Sequence, residues 1–339
     1  MKHIIATTAC SVIIMLFASA QIVQANTCPR NGSDVDIAAL HTAGPENIYG
    51  DFNCDYTPDG MRIKLYKIML CSELVNETDY QAKCNPLVTF NSGKDIEISA
   101  DNQSPILDGP VTLLEGDYTH AVILIENRIG SKFLQSFTRP IHGDNGVGTT
   151  CWSNGKDAKI SYETVDGDGN RVPNTNGDHQ NFSASCGLAA SADPKWSYYT
   201  YKGLWMNGGF VNEVKALSLF GAPNKNVHLL GPTGDLASFT VGNGGRNNDD
   251  ENGIVTNANY LLGVTELNPT VSISPSTTGL NLGFKLKDTF FQKITTNTYY
   301  GNDRCSAASG SMAVAASTGA FACLSTSYAT TFDFKLEAY

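Results

Sequence analysis

The sequence lacks sustained helical periodicity. Apolar residues recur at alternate positions instead, and the 339-residue chain contains 32 glycines among frequent turn residues. Period-two alternation places side chains on the two faces of a strand. Short strands separated by turn residues are typical of β-sandwiches. No solenoid-type repeat of fixed period is present. The sequence therefore predicts an all-β fold.

The usual marks of enzymes and zinc sites are also missing. The chain has no Gly-x-Ser-x-Gly elbow, no His-Glu-x-x-His and no Cys-x-x-Cys. These absences argue against a serine hydrolase and a zinc site, and we predict that the protein is not an enzyme. An extracellular hydrolase with two catalytic carboxylates stays open as a less favoured alternative, because such residues can lie far apart in sequence.

Positive charge is scarce. The chain has 23 Lys and Arg residues and 33 Asp and Glu residues, which gives a net charge of −10. An acidic chain is repelled by phosphate backbones and anionic membrane surfaces. Nucleic acid is therefore not an expected partner, whereas calcium, cationic surfaces and neutral glycans remain candidates.

One apolar run stands at the N-terminus. Lys2 and His3 precede it, its core spans residues 11–20, and Val23-Gln24-Ala25 closes it with small residues at the outer positions. The pattern predicts a signal peptide at residues 1–25, and the core is too short to span a bilayer. We expect an exported protein without a transmembrane segment, extracellular or at the cell surface, with the periplasm as the other compartment.

The cysteines fit an oxidising compartment. The chain has nine, and eight remain once Cys10 leaves with the signal peptide. An even number in an exported chain indicates disulfides. Their spacing into local doublets suggests sequential pairs, although the connectivity is not fixed by sequence: Cys28–Cys54, Cys71–Cys84, Cys151–Cys186 and Cys305–Cys323.

Composition divides the mature chain into three parts. Residues 26–140 are predicted to form a first β-sandwich domain. Residues 141–195 are rich in Gly, Asn and Asp and have few apolar runs, so we expect a loop region stapled by a disulfide. Residues 196–339 are predicted to form a second β-domain.

Three segments give finer expectations. In "MRIKLYKIML", alternation switches phase from Met61, Ile63 and Leu65 to Tyr66, Ile68 and Leu70, as one bulged residue would cause. "HLLGPTGDLASF" is typical of a hairpin turning at residues 232–235. In "LLEGDYTHAVILIEN", both faces are mostly apolar, which predicts a strand buried between layers with a packed His120 at its mouth.

A resemblance covers residues 61–128. The stretches "MRIKLYKIMLCSE", "PLVTFNSGKDIEIS" and Gly116-Asp117-Tyr118-Thr119 before a long apolar strand resemble a family of secreted bacterial domains of unknown function. The resemblance implies a transthyretin-like or immunoglobulin-like β-sandwich, exported and often tethered at the cell surface. This chain has Leu114-Glu115 where the family favours Leu-Pro, and it lacks a lipobox, so a lipid anchor is not implied. The family has no established catalytic residues to carry over.

The stretch "DGDGNRVPNTNGD" places oxygen ligands at alternate positions, as a calcium loop does. The candidate ligands are Asp166, Asp168, Asn170, Asn174 and Asp178. Arg171 and Gly177 stand where an EF-hand needs Gly and Glu, so only another kind of calcium loop fits. An ordinary turn between strands requires the same residue types and stays open.

Aromatic residues cluster in "KWSYYTYKGLW". Such rings can stack on sugars or on a partner protein, or they can cover a sandwich core. The candidate ligand-binding residues are Trp196, Tyr198, Tyr199, Tyr201 and Trp205.

The last strand, "TFDFKLEAY", is amphipathic. Such a strand can add to a neighbour's sheet, or it can complete its own domain. We predict an exported structural or adhesive protein of the cell surface or extracellular matrix that assembles with itself by β-strand addition or binds surface glycans or proteins. The alternative is a secreted binding module that depends on glycans or calcium.

Overall fold

The fold is described from a computed structural model of the chain. It describes residues 28–43, 51–99, 111–143, 146–156, 159–160, 163–165, 171–173, 180–181, 183–200, 203–206, 209–212, 227–234, 239–241, 254–256, 258–284, 286–287, 289–295, 323–329 and 334–338. The predicted signal peptide lies outside these residues.

Strands dominate the described chain, as predicted, and the helices are short. In chain order the elements are β1 (Arg30–Asn31), β2 (Asp34–Val35), α1 (Ile37–Ala43), β3 (Asp51–Tyr56), β4 (Gly60–Cys71), α2 (Tyr80–Lys83), β5 (Cys84–Ser99), β6 (Gly116–Glu126), β7 (Ile129–Lys132), β8 (Leu134–His142), β9 (Val147–Ser153), β10 (Lys159–Ile160), β11 (Glu163–Val165), β12 (Arg171–Pro173) and β13 (Gln180–Asn181). They continue with β14 (Ala184–Gly187), a 3₁₀ turn (Ala189–Ser191), β15 (Ser197–Tyr199), β16 (Gly203–Met206), β17 (Gly209–Asn212), β18 (Val227–Leu230), β19 (Phe239–Val241), β20 (Ile254–Thr256), β21 (Tyr260–Ile273), β22 (Leu280–Phe284), β23 (Phe290–Thr295), β24 (Cys323–Ala329) and β25 (Phe334–Ala338).

Two large sheets form the frame. The seven-stranded sheet has the order β15-β7-β4-β6-β21-β18, with β5 paired to β4. The eight-stranded sheet has the order β1-β2-β8-β24-β23-β3, and β9 and β14 extend it beside β8. Buried side chains of both sheets, such as Ile63 and Ile123 of the first and Phe137 and Phe290 of the second, belong to one hydrophobic cluster. The two sheets therefore share one hydrophobic core.

Strand pairing crosses both predicted domain boundaries. β6 pairs with β21, β7 with β15 and β3 with β23, so each large sheet combines strands from before residue 140 with strands from after residue 195. The division into 26–140, 141–195 and 196–339 stays a prediction, and the pairing gives it no support. Composition could not reveal this, because pairing between distant strands leaves no local signature.

A β-bulge in β4 accounts for the phase switch. Leu65 and Lys67 pair with the adjacent residues Ile125 and Leu124 of β6, so Tyr66 is the extra residue. Ile68 beyond the bulge therefore joins the same main cluster as Leu65, which confirms the predicted bulge. The face of Tyr66 was predicted wrongly. Its ring packs against a second cluster on the other side of the sheet, because the bulged residue is turned away.

β6 is central and buried on both faces, as predicted. Ala121, Ile123 and Ile125 enter the main cluster, whereas Val122 and Leu124 enter the second. Residues 72–83, between the disulfide-bonded Cys71 and Cys84, contribute Val75 and Tyr80 to that second cluster. We call this second cluster the flap cluster, and its buried members are Met69, Cys71, Val75, Tyr80, Cys84, Val122, Leu124, Leu230 and Leu262.

The predicted hairpin at residues 232–235 is half right. The Gly234 amide donates a hydrogen bond to the Gly231 carbonyl at 3.0 Å, which forms a turn. However, β18 before the turn pairs with β21, and β19 after it pairs with β20. The turn forms from its own residues. The strand that pairs with β18, however, depends on which sheet edge can bury Leu229 and Leu230.

The described residues contain three disulfides: Cys28–Cys54, Cys71–Cys84 and Cys151–Cys186. They are three of the four sequential pairs expected, and Cys305 of the fourth lies outside the described residues. In the part of the chain that the structure describes, no helix is long and apolar enough to cross a membrane.

The bulge makes a testable prediction about two adjacent side chains. Ile68 is fully buried, so Ile68→Ala should lower the free energy of unfolding by about 2–5 kcal/mol. Lys67 lies on the opposite face, and Lys67→Ala should change it by no more than about 0.5 kcal/mol. Urea unfolding measures both. Equal costs at the two positions would contradict the face assignment.

His142 gives a pH prediction. It is buried in β8 and, within the described residues, its Nε2 has no hydrogen-bond partner. Burial lowers its pKa below the ordinary value, because the charged form loses hydration. As pH falls, His142 is therefore protonated at a higher pH in the unfolded chain than in the folded protein. Stability should be lost as pH drops through the unfolded-state pKa, until the folded-state pKa is reached.

The measurement is urea unfolding between pH 7.5 and 5, for the wild type and for His142→Phe. The wild type should lose more stability on acidification than the variant, by at most about 1.4 kcal/mol per pH unit, the limit for one proton. Identical pH profiles would show that His142 does not carry this loss.

Candidate functional site

Strand alternation splits the predicted aromatic cluster. Tyr199 is buried in the main cluster, so its ring belongs to the core. Trp196 and Tyr198 are half-buried. Trp196 contacts the guanidinium group of Arg62 in β4, and Tyr198 contacts that of Arg128 between β6 and β7. Tyr201 lies outside the described residues, and Trp205 lies in β16, where the backbone alone is described. The core alternative therefore applies to Tyr199, and ligand binding by Trp196 and Tyr198 stays a prediction.

A row of four residues crosses the sheet beneath these rings. Arg62 of β4 is paired with Glu97 of β5 on one side and with Gly130 of β7 on the other, and Gly130 is paired with Tyr198 of β15. Residues directly opposite one another in a sheet share a face. Register therefore brings together side chains that are far apart in sequence.

Arg62 makes three interactions on this face. Its Nη2 forms an ion pair with Glu97 Oε2 at 2.7 Å, and its Nη1 donates a hydrogen bond to the Tyr198 hydroxyl at 3.3 Å. Its Cζ lies 4.4 Å from the centroid of the Trp196 ring. Burial lowers the pKa of Arg62, but the hydrogen bonds to Glu97 and Tyr198 outweigh it and raise the pKa above its ordinary value.

A second guanidinium covers the neighbouring ring. Arg128 Cζ lies 3.7 Å from the Tyr198 ring centroid. Exposed cation–π contacts contribute about 0.5–1 kcal/mol each. We call Arg62, Arg128, Trp196 and Tyr198 the guanidinium–aromatic cluster. It alternates cations and rings on one face of the seven-stranded sheet.

Two glycines make room for the rings. A Cβ at Gly130 would lie 2.8 Å from Tyr198 Cε1, and one at Gly60 would lie 2.8 Å from Trp196 Cη2. Both distances are too short for non-bonded carbon atoms. The rings therefore rest directly on the backbone of β4 and β7, which larger residues would prevent.

The cluster can serve two purposes chemically. It attaches the short strand β15 to β7 and β4 through ring packing and charge. It also presents two guanidinium groups on a chain of net charge −10, and guanidinium forks suit carboxylate or phosphate groups. The cluster is less suited to stacking of a neutral sugar on Trp196 or Tyr198, because a guanidinium group already lies over each ring.

Sequence reasoning found the rings but missed Arg62, Arg128 and Glu97. A signal was available for part of the arrangement, since glycine inside a strand often marks close approach of another group. Gly60 and Gly130 both have that property. No local pattern linked them to Trp196 and Tyr198, because the link is made by register.

The predicted calcium ligands lie outside the described residues: Asp166, Asp168, Asn170, Asn174 and Asp178. β11 and β12, which flank residues 166–170 only, are antiparallel, with Val165 opposite Arg171. Among the described residues, no group of three or more His, Cys, Asp or Glu side chains is placed to hold a metal ion. The calcium loop stays a prediction.

The terminal strand pairs within its own chain. β25 is antiparallel to β22, with Leu336 opposite Leu282, and both side chains are buried in the main cluster. This pairing favours the alternative in which residues 331–339 complete their own fold. Addition of this strand to a neighbouring chain stays a prediction.

Comparison with known proteins gives no relative. No family model, no curated protein and no solved structure matches the chain. The resemblance of residues 61–128 to secreted bacterial domains is therefore not tested by them.

The close approach at Gly130 can be tested with a double-mutant cycle. Gly130→Ala should destabilise the protein by about 1–3 kcal/mol, because the new methyl group displaces the Tyr198 ring. In a Tyr198→Ala background the same change should cost much less. Thermal or urea unfolding of the four proteins gives the coupling.

Gly263→Ala is the matched control, since its nearest neighbour is Ile123 and not the cluster. Its cost should be the same with and without Tyr198. A Gly130→Ala cost that Tyr198→Ala leaves unchanged would overturn the packing described above.

Proposed function

We propose that the protein is a non-enzymatic, exported structural or adhesive component of the cell surface or extracellular matrix. The observation that carries the proposal is the cross-linking of distant parts of the chain. β3 near the beginning pairs with β23 near the end, and β7 pairs with β15. Cys28–Cys54 and Cys71–Cys84 add covalent links within the same frame.

Sheets that join distant segments in this way suit a protein that bears mechanical load. Tension between distant segments is shared by many ladder hydrogen bonds rather than by one interface. Disulfides persist in oxidising compartments outside the cytosol, which fits the predicted export. The many edge and outer-face residues of the two sheets offer surface for contacts with neighbours.

The experiment locates the native protein and measures its state of association. Antibody against the purified chain should label the cell surface or matrix by electron microscopy. Extracted material should sediment as assemblies or remain bound to surface material. Recovery only as a free monomer in the medium would overturn the proposal.

Truncation tests the strand-addition route separately. Removing residues 331–339 should abolish assembly but leave a folded monomer if β25 serves a neighbour. Loss of the folded monomer would assign β25 to its own chain, as its pairing with β22 favours. Circular dichroism and sedimentation velocity distinguish these results.

A secreted binding module is the second candidate, favoured by the guanidinium–aromatic cluster. Two arginines beside aromatic rings suit glycans that carry carboxylate or sulfate groups. Binding to an array of acidic and neutral glycans should be confined to acidic ones and fall at least tenfold in Arg128→Ala. Arg139→Ala, an exposed arginine of β8, is the control. Equal binding of neutral glycans would contradict this reading.

A further inference from the structure

One end of the seven-stranded sheet is strongly acidic. Residues 72–83, residues 111–117 and Glu266 meet there, because His120 pairs with both Cys71 and Glu266, and the Thr119 hydroxyl donates a hydrogen bond to the Ser72 carbonyl at 2.9 Å. Among the described residues this acidic end holds six carboxylates and one lysine: Glu73, Glu77, Asp79, Glu115, Asp117, Glu266 and Lys83.

Two of these carboxylates are paired with a lysine, and a third lies beside an imidazole. Lys83 Nζ lies 3.0 Å from Glu73 and 3.1 Å from Asp79, and His228 Nδ1 lies 2.9 Å from Glu77. The other three, Glu115, Asp117 and Glu266, belong to exposed residues. Of these, Asp117 accepts a hydrogen bond from the neutral Ser272 hydroxyl. The acidic end therefore keeps a negative surface charge.

The opposite end of the sheet is cationic by comparison. Nine residues of β4 separate Arg62 from Cys71, a distance on the order of 30 Å. The described residues of this cationic end are four basic and three acidic: Arg62, Arg128, Lys132, Lys195, Asp59, Glu97 and Asp193. Burial raises the pKa of the Asp59 carboxyl, and Lys132 and the Leu134 amide oppose that rise. The rings of Trp196 and Tyr198 hold the two arginines in place.

Of the five exposed large apolar side chains in the described residues, four lie at these two ends, and the fifth, Leu188, follows β14 and is 75% exposed. Leu74, Val111 and Leu114 are 56%, 48% and 45% exposed and belong to the segments of the acidic end. Leu134 is 48% exposed and follows Lys132 closely at the cationic end. Apolar side chains beside complementary charge are the usual composition of a protein–protein contact.

We propose that the cationic end of one copy of this chain docks on the acidic end of a second copy. The inference rests on the proposed structural function and names its partner. A chain of net charge −10 repels another copy over most of its surface. The cationic end is where an acidic chain can approach, and the acidic end supplies the matching surface.

The contact joins two different surfaces, so it is heterologous. Such contacts do not close into a two-fold dimer, and repetition gives an open filament or a ring. Each added copy uses one of its ends in the contact and leaves the other end for the next copy. This route needs no exchange of β25, and it leaves the pairing of β25 with β22 intact.

Charge reversal tests the contact by sedimentation velocity on the purified mature chain. The wild type should form oligomers at low salt and dissociate as NaCl is raised, because screening weakens exposed charge pairs. Arg128→Glu and Glu115→Lys, each alone, should sediment as monomers. Arg139→Glu, at an exposed position of β8 that belongs to neither set of residues, is the matched control and should behave as the wild type.

Mixing the two reversed variants is the decisive step. The native acidic end of Arg128→Glu matches the native cationic end of Glu115→Lys, and the two reversed ends match each other, so the mixture should form alternating oligomers that neither variant forms alone. Leu114→Ser should weaken wild-type association without changing its dependence on salt. Circular dichroism and disulfide mapping confirm that each variant is folded.

The outcomes separate this inference from the proposed function. If Arg128→Glu and Glu115→Lys still form oligomers alone, or if their mixture forms none, the end-to-end contact is wrong. The proposed structural function is unaffected by either result. A wild type that stays monomeric at low salt also overturns the contact. Only native material found as a free monomer in the medium overturns the structural function as well.

Discussion

Burial of both faces of the central strand pair β4–β6 is the constraint on which the rest of the structure depends. Side chains of β6 enter the main cluster on one side and the flap cluster on the other. Each face needs its own cover: the eight-stranded sheet on one side, and residues 72–83 on the other. The bulge at Tyr66 keeps β4 compatible with both, since it allows Ile68 and Leu65 to share one face.

The remaining strands of the sheet serve this pair in different ways. β21 and β18 extend the face covered by the flap, where the pairing of His228 with Glu77 joins β18 to residues 72–83. β15 lies beside β7 at the other end, held by rings that rest on glycine backbone. The ring contacts that hold β15 beside β7 also hold the guanidinium groups of Arg62 and Arg128 in place. The position of this positive charge therefore depends on the fold of the sheet.

Several local features were open to prediction from the residues. The phase switch in "MRIKLYKIML" predicted the bulge, and the two apolar faces of residues 121–125 predicted a buried strand. The aromatic stretch identified Trp196 and Tyr198 as candidates, but it did not identify the arginines that contact them. The hairpin after β18 was half right, because a turn forms from its own residues whereas a strand partner is chosen by the whole sheet.

Local patterns in the sequence were enough to predict the all-β class, the bulge and the buried central strand, since each depends on residues close together in the chain. Cysteine spacing suggested the three disulfide pairs that form, but it did not fix them. Only the folded chain shows that strands on either side of residues 141–195 share both sheets, and that Arg62, Gly130 and Tyr198 form one row. Register between distant strands could not be predicted, because it is set by burial on both faces at once. That condition is met only when the complete core assembles.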